Sequence, residues 1–159
     1  MEIPLPQILI NLFQFNQELI HLQLKDISHA DSLLQPPFQA NCMNWVVGHI
    51  LTARDEDLHL LGLPGLLSEA EEKTYGYGSE PITCPDGASD LGYMLQKLDE
   101  SLEKIVAAIP NADLAREVEI WRGKVTLAEG LLFSIWHETY HGGQLEPLRQ
   151  LAGKNDKVV

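Results

Sequence analysis

His137 and His141 stand four residues apart in the string Trp136-His137-Glu138-Thr139-Tyr140-His141. On an α-helix that spacing projects both imidazoles from one face, one turn apart, close enough to share a divalent ion. The order His-Glu-x-x-His is that of the zinc peptidases, in which the glutamate holds and deprotonates the metal-bound water. Glu138 is therefore a candidate proton acceptor. Two histidines leave the site incomplete, because a catalytic zinc takes three protein ligands and keeps one position for water.

The segment downstream supplies no third ligand. The metzincin extension requires Gly and His three and six residues after the second His, where this chain has Gln144 and Pro147. Beyond Glu146 the remaining acid is Asp156, in a short polar tail. The ligand must then lie upstream, and the candidates are His21, His29, His49 and His59. His49 has the most suggestive surroundings, with Trp45 one turn before it and Ile50 and Ala53 after it, at the margin of an apolar face. His59 follows Asp55-Glu56-Asp57 and reads as solvated, while His21 and His29 have polar neighbours. Cys42, seven positions before His49, could be a soft ligand, although an ordinary buried thiol is the commoner role.

Four amphipathic helices account for most of the chain. The first is expected over about Pro6 to Ala30, with Ile8, Leu9, Leu12, Phe13, Leu19, Ile20 and Ile27 at helical spacing. The second starts near Asn41, a good N-cap, and stops near Gly62-Leu63-Pro64. The third spans roughly Ser89 to Ile109 on the stripe Leu91, Met94, Leu95, Leu98, Leu102, Ile105. The fourth opens with the capping-box pattern Thr126-Leu127-Ala128-Glu129, carries the histidine pair and ends at Gly153. Pro147 and the Gly142-Gly143 pair predict a bend just past His141 that could open room beside an ion.

Between the second and third helices lies a Gly- and Pro-rich connection, residues 62 to 88, expected to hold a short helix near Ser68 to Lys73 and to cover a site. Residues 117 to 125 alternate weakly and fit a small hairpin. Together these predict an all-α four-helix bundle with long connections, a class that builds metal sites from side chains on facing helices.

The 159 residues, 45% of them hydrophobic, suit a single domain spanning 1–159. Eleven Lys plus Arg against 23 Asp plus Glu give a formal charge of -12, which argues against nucleic acid as a partner. The acidic runs Arg54-Asp55-Glu56-Asp57 and Ser68 to Glu72 read as solvated helix faces. No apolar run approaches the ~20 residues of a membrane span. The start, MEIPLPQ, lacks the pattern of a signal peptide, and Cys42 and Cys84 form no CxxC pair. A soluble, cytoplasmic protein with two free thiols is the expectation.

Asn44-Trp45-Val46-Val47-Gly48-His49-Ile50 followed by Arg54, together with His137-Glu138-Thr139-Tyr140-His141-Gly142-Gly143-Gln144-Leu145, resembles the DinB-like (DinB/YfiT) family of small metalloproteins. The resemblance covers nearly the whole chain. It implies a four-helix bundle of the DinB/YfiT type, often a homodimer, with a divalent metal held by His49, His137 and His141. The family tolerates various residues after the first His of the pair, so Glu138 can complete the peptidase pattern by coincidence. Some members are thiol-dependent transferases or isomerases. The implied activity is activation of a water or a low-molecular-weight thiol against a small electrophile. The competing class is a non-enzymatic module in which the ion staples two helices. Three imidazoles accept Zn, Ni or another transition metal by availability as much as by affinity.

Overall fold

The computed structural model describes residues 3–83, 85–156 and 158; Cys84 lies outside the described residues. Its elements are α1 (Leu5–Leu24), α2 (His29–Ser32), α3 (Met43–Leu60), α4 (Glu69–Tyr75), α5 (Leu91–Ala108), a 3-10 turn (Ile109–Asn111), strands β1 (Glu117–Ile120) and β2 (Gly123–Thr126), and α6 (Leu127–Leu151). The four long helices pack as a bundle in which α3 contacts both α5 and α6, and α1 contacts α5 and α6. The expected all-α architecture is present.

Capping chemistry sets most boundaries. Ser28, Ser68 and Thr126 each accept from the backbone N–H three residues on, while Asp31, Glu71 and Glu129 return a bond to the cap, completing three capping boxes. The first of these explains a correction: the helix expected to reach Ala30 stops at Leu24, Asp26 turns left-handed at φ 60°, and Ser28 starts a new short helix. The second helix starts one step later than expected, with Cys42 rather than Asn41 as N-cap and no side-chain cap bond. It ends where Gly62, at φ 77°, lets the Leu63 N–H return to the Leu58 carbonyl. The short helix in the long connection is present as α4. The hairpin pairs Glu117 with Thr126 through Ile120 with Gly123, leaving Trp121 and Arg122 at the turn. Pro147 sits inside α6, which continues to Leu151.

Two apolar clusters share the interior, one around Leu51, Leu98, Ile20 and Leu145, the other around Leu58, Ile105, Phe13 and Leu131. Between them every long helix contributes a buried polar group: Asn16 and Gln17 from α1, Arg54 and Asp57 from α3, Ser101 from α5, Ser134 and Glu138 from α6. The run Arg54 to Asp57 is thus not the expected solvated face, since Arg54, Asp55 and Asp57 are buried. The reason is that α3 is enclosed by α4, α5 and α6 and buries residues on nearly all sides.

Candidate metal centre

The helices α3 and α6 run antiparallel, so that His49 meets the His137–His141 turn, Arg54 meets Glu138, and Asp57 meets Ser134. His49, His137 and His141 each offer a ring nitrogen, and these nitrogens lie within 4.8 Å of one another. Nε2 of His137 and Nε2 of His141 are 3.0 Å apart. Two nitrogens bound to one zinc at about 2.0–2.1 Å in a tetrahedron lie roughly 3.3 Å apart, so this spacing suits a shared ion.

The tautomers are fixed from behind. His49 Nδ1 lies 2.8 Å from the Tyr75 carbonyl oxygen, which can only accept, so Nδ1 carries the proton and Nε2 keeps its lone pair. His141 Nδ1 lies 2.8 Å from Gln144 Oε1 and donates in the same sense. Such carbonyl partners orient metal-binding imidazoles. Trp45 stacks on the His49 ring at 4.7 Å, and its indole N–H donates to Ser79.

Burial keeps these rings neutral, as metal ligation requires. Desolvation is the largest cause of the depressed pKa at all three, and His137 falls to about 4, with His141 and His49 adding repulsion. The donor set therefore fits a borderline transition-metal ion such as zinc or nickel.

The other sequence candidates are elsewhere. His21 bonds to Asp99 and Gln17, and His29 accepts from the Leu91 N–H. His59 lies near Asp55 beside Gly65. Cys42 is fully buried and outside the cluster.

Glu138, the candidate proton acceptor, is paired with Arg54. Its Oε2 accepts from Arg54 Nε and its Oε1 from Arg54 Nη2, both at 2.7 Å, and both side chains are buried. The Arg54 Nη1 also donates to the Leu98 carbonyl and Ser101 Oγ. Each oxygen thus carries a guanidinium bond, and the carboxylate is not among the clustered ligand groups.

A cleft of about 670 Å³ opens beside His49 and His137 and runs along the α3–α6 seam toward Leu60 and Gly130. Its lining includes the aromatic residues Trp121, Phe133, Trp136 and Tyr77 and the carboxylates of Glu56 and Glu72. The room lies toward the N-terminal half of α6. Gly142, Gly143 and Pro147, where the expected bend would have made it, are not among its described lining residues; Gly142 lies beside Leu19 of α1.

Several supporting residues carried no sequence signal of their role. Tyr75 is one, buried with its hydroxyl donating to Asn44 Oδ1 and accepting from the Ser89 N–H. Gly48 is another, because any Cβ there would overlap the Tyr75 ring. Gln144, which excludes the metzincin pattern, is the third.

The DinB superfamily profile matches residues 12–145. No curated protein matches the chain. Among solved structures, the crystal structure of a conserved protein from Enterococcus faecalis has a TM-score of 0.71 and 16% sequence identity, over 95% of this chain and 98% of that one. At that identity the likeness is one of fold. The family match spans most of the sequence and both histidine-bearing helices, and the chain belongs to the DinB superfamily.

Proposed function

We propose that the protein is a metal-dependent enzyme whose ion is held by His49, His137 and His141 and whose small-molecule substrate enters the adjoining cleft. The observation that carries this reading is the convergence of three neutral ring nitrogens from two helices at the end of that cleft. A divalent ion there would supply a Lewis acid that favours the deprotonated form of a coordinated water or small thiol. The residues of the chain do the rest. Tyr75 and Gln144 hold the imidazoles in the ligating tautomer, Trp45 packs against His49, and the Arg54–Glu138 pair locks α6 to α3 so that the ligands keep their spacing. The cleft argues for an enzyme over a helix-stapling ion, because a purely structural site needs no adjoining cavity. We further propose a homodimer, supported by exposed apolar residues on α1 and α6, and a cytoplasmic location.

Peptide hydrolysis by the His-Glu-x-x-His chemistry is disfavoured by the commitment of Glu138 to Arg54. The test begins with elemental analysis of protein purified without a His-tag. One divalent ion per chain is expected in the parent and in His21→Ala and His59→Ala, and none in His49→Ala, His137→Ala or His141→Ala. In the cobalt-loaded protein, millimolar small thiol should then produce a sulfur-to-metal charge-transfer band, also in Cys42→Ser. Full metal retention by His49→Ala refutes the cross-helix centre. Retained metal without the band removes the thiol and leaves water as the activated group.

A further inference from the structure

We infer that the cleft beside the histidines selects an organic cation, with an ammonium group seated between Glu56 and Glu72 and an apolar body against Trp121, Phe133 and Trp136. The inference deepens the proposed function by naming its substrate class, and it rests on that function only for the end of the molecule that would reach His49 and His137.

The cavity comes first. At about 670 Å³ it has the size of a site for a small organic molecule. One wall is aromatic. Phe133 meets Trp121 edge to face at 5.7 Å and Trp136 at 5.5 Å, while Trp121 and Trp136 remain 78% and 59% exposed. Indoles left that open at the mouth of a cavity are unspent contact area. The chain itself shows what these faces accept: the Arg122 guanidinium lies 5.6 Å from the ring centroids of both Trp121 and Phe133.

Helices α3 and α4 contribute carboxylates to the lining, and they divide into two kinds. Asp55 is used by the fold, accepting from the Leu66 and Leu67 N–H groups, and Asp57 accepts from Ser134. Glu56 and Glu72 form no ion pair among the described residues. Partial desolvation raises the Glu56 pKa, the nearby His59 opposes the shift, and the charge of Glu72 adds to it. A cationic guest would supply a counter-charge to both carboxylates and offset their mutual repulsion. Neither Lys nor Arg is among the described lining residues, so away from an ion at the histidines and from Arg122 over the Trp121 and Phe133 rings an anionic guest would meet Glu56 and Glu72 as like charges.

Spacing adds a constraint on the ligand. Glu56 is seven residues after His49 on α3, two turns along the same face and about 10 Å away. The ammonium is thus expected some 10 Å from the reacting group, far enough to limit its repulsion by a dication at the histidines. A thiol co-substrate should on this ground be an aminothiol rather than a thiol bearing several carboxylates.

The test uses three probes of similar body and different charge, benzyltrimethylammonium, benzyl alcohol and benzylsulfonate, titrated into the full chain with and without zinc at fixed ionic strength. Indole N–H resonances of Trp121 and Trp136 report occupancy of the cleft. The ammonium should bind at least tenfold more tightly than the alcohol or the sulfonate. The double variant Glu56→Gln, Glu72→Gln should lose that advantage while binding the alcohol unchanged. The double variant Glu18→Gln, Glu103→Gln, with the same change in net charge on α1 and α5, should keep it. Equal or tighter binding of the sulfonate, an ammonium preference that survives in the cleft variant, equal losses in both variants, or no shift with any probe would each overturn the inference. Retained metal without a cation preference sinks this inference alone. A cation preference in a chain that holds no metal sinks the metalloenzyme alone.

Discussion

Arg54 and Glu138 join α3 to α6 through two parallel bonds of 2.7 Å, in a layer of the bundle where neither side chain meets solvent. Each partner alone would be a buried, unpaired charge. Removing one therefore costs more than the pair contributes, about 3–5 kcal/mol. Arg54→Ala is expected to lower unfolding stability by that amount in urea titration. Replacing both, as Arg54→Met with Glu138→Leu, should restore most of it, since an apolar pair leaves nothing stranded. The exposed Lys124–Glu117 pair is the contrast, and Lys124→Ala should change stability by less than about 1 kcal/mol. If Arg54→Ala is as mild as Lys124→Ala, the pair does not hold the seam.

Gly48 sets two effects against each other. Alanine in a helix interior is favoured over glycine by about 1 kcal/mol, so Gly48→Ala would stabilise an isolated α3. Here the new methyl meets the Tyr75 ring, which cannot retreat because its hydroxyl is tied to Asn44 and the Ser89 N–H. Overpacking of this kind costs about 1–3 kcal/mol and should win. Moving Tyr75 also moves the carbonyl that fixes the His49 tautomer. Zinc affinity, measured by competition with a chelator, is accordingly expected to fall about 10–100-fold. Unchanged affinity in a folded Gly48→Ala protein would show that the Tyr75 carbonyl does not orient the ligand.

How much of this was legible in the sequence follows from where the determinants lie. Helix starts at Ser68 and Thr126 announce themselves within four residues, and the apolar stripe of α5 is plain in its own segment. The Ser28-x-x-Asp31 capping box is equally local, and it starts a separate helix although apolar spacing continues through Ile27. His49 looked suggestive from its neighbours, but its pairing with His137 and His141 depended on the family resemblance. Arg54 and Asp57 depart from the expected solvated face because their partners, Glu138 and Ser134, are 84 and 77 residues away, and a charged run carries no local mark of being enclosed by three helices. Tyr75 acts through its backbone carbonyl, which any residue would possess.

Asp57 gives a pH-dependent prediction with a definite sign. Burial pushes its carboxyl well above the usual range, with Glu138 and Glu56 reinforcing the shift and Ser134 and Arg54 opposing it. The folded state thus holds this proton to higher pH than the unfolded chain does. Its contribution to stability is complete below the unfolded value of 3.8 and is lost as pH rises toward the folded pKa. Asp57→Asn keeps an oxygen for Ser134 and removes the titration. The variant should gain on the parent in urea stability from pH 4.5 to pH 8. A difference independent of pH would mean that Asp57 is ionised at no cost.

The last prediction concerns the outer face of the bundle. Leu5, Ile8, Leu12, Phe15, Leu19 and Leu22 recur on α1 at alternating steps of three and four, the heptad spacing by which one helix meets another, yet this stripe lies beside the buried face. Phe15 is 64% exposed, and Leu132 and Tyr140, outside the cleft, stand out eight residues apart on the adjacent α6. An apolar face this long, spread over two helices, is characteristic of an interface, and a second copy would cover it with an identical heptad. Light scattering at micromolar concentration should give twice the chain mass. Phe15→Glu should give the single-chain mass with an unchanged helical spectrum, because it places a charge in the middle of the stripe. Phe38→Glu alters an equally exposed ring outside the stripe and should leave the dimer intact. A Phe15→Glu protein that remains dimeric assigns the contact to another surface. A parent that is monomeric leaves the α1–α6 face without this partner.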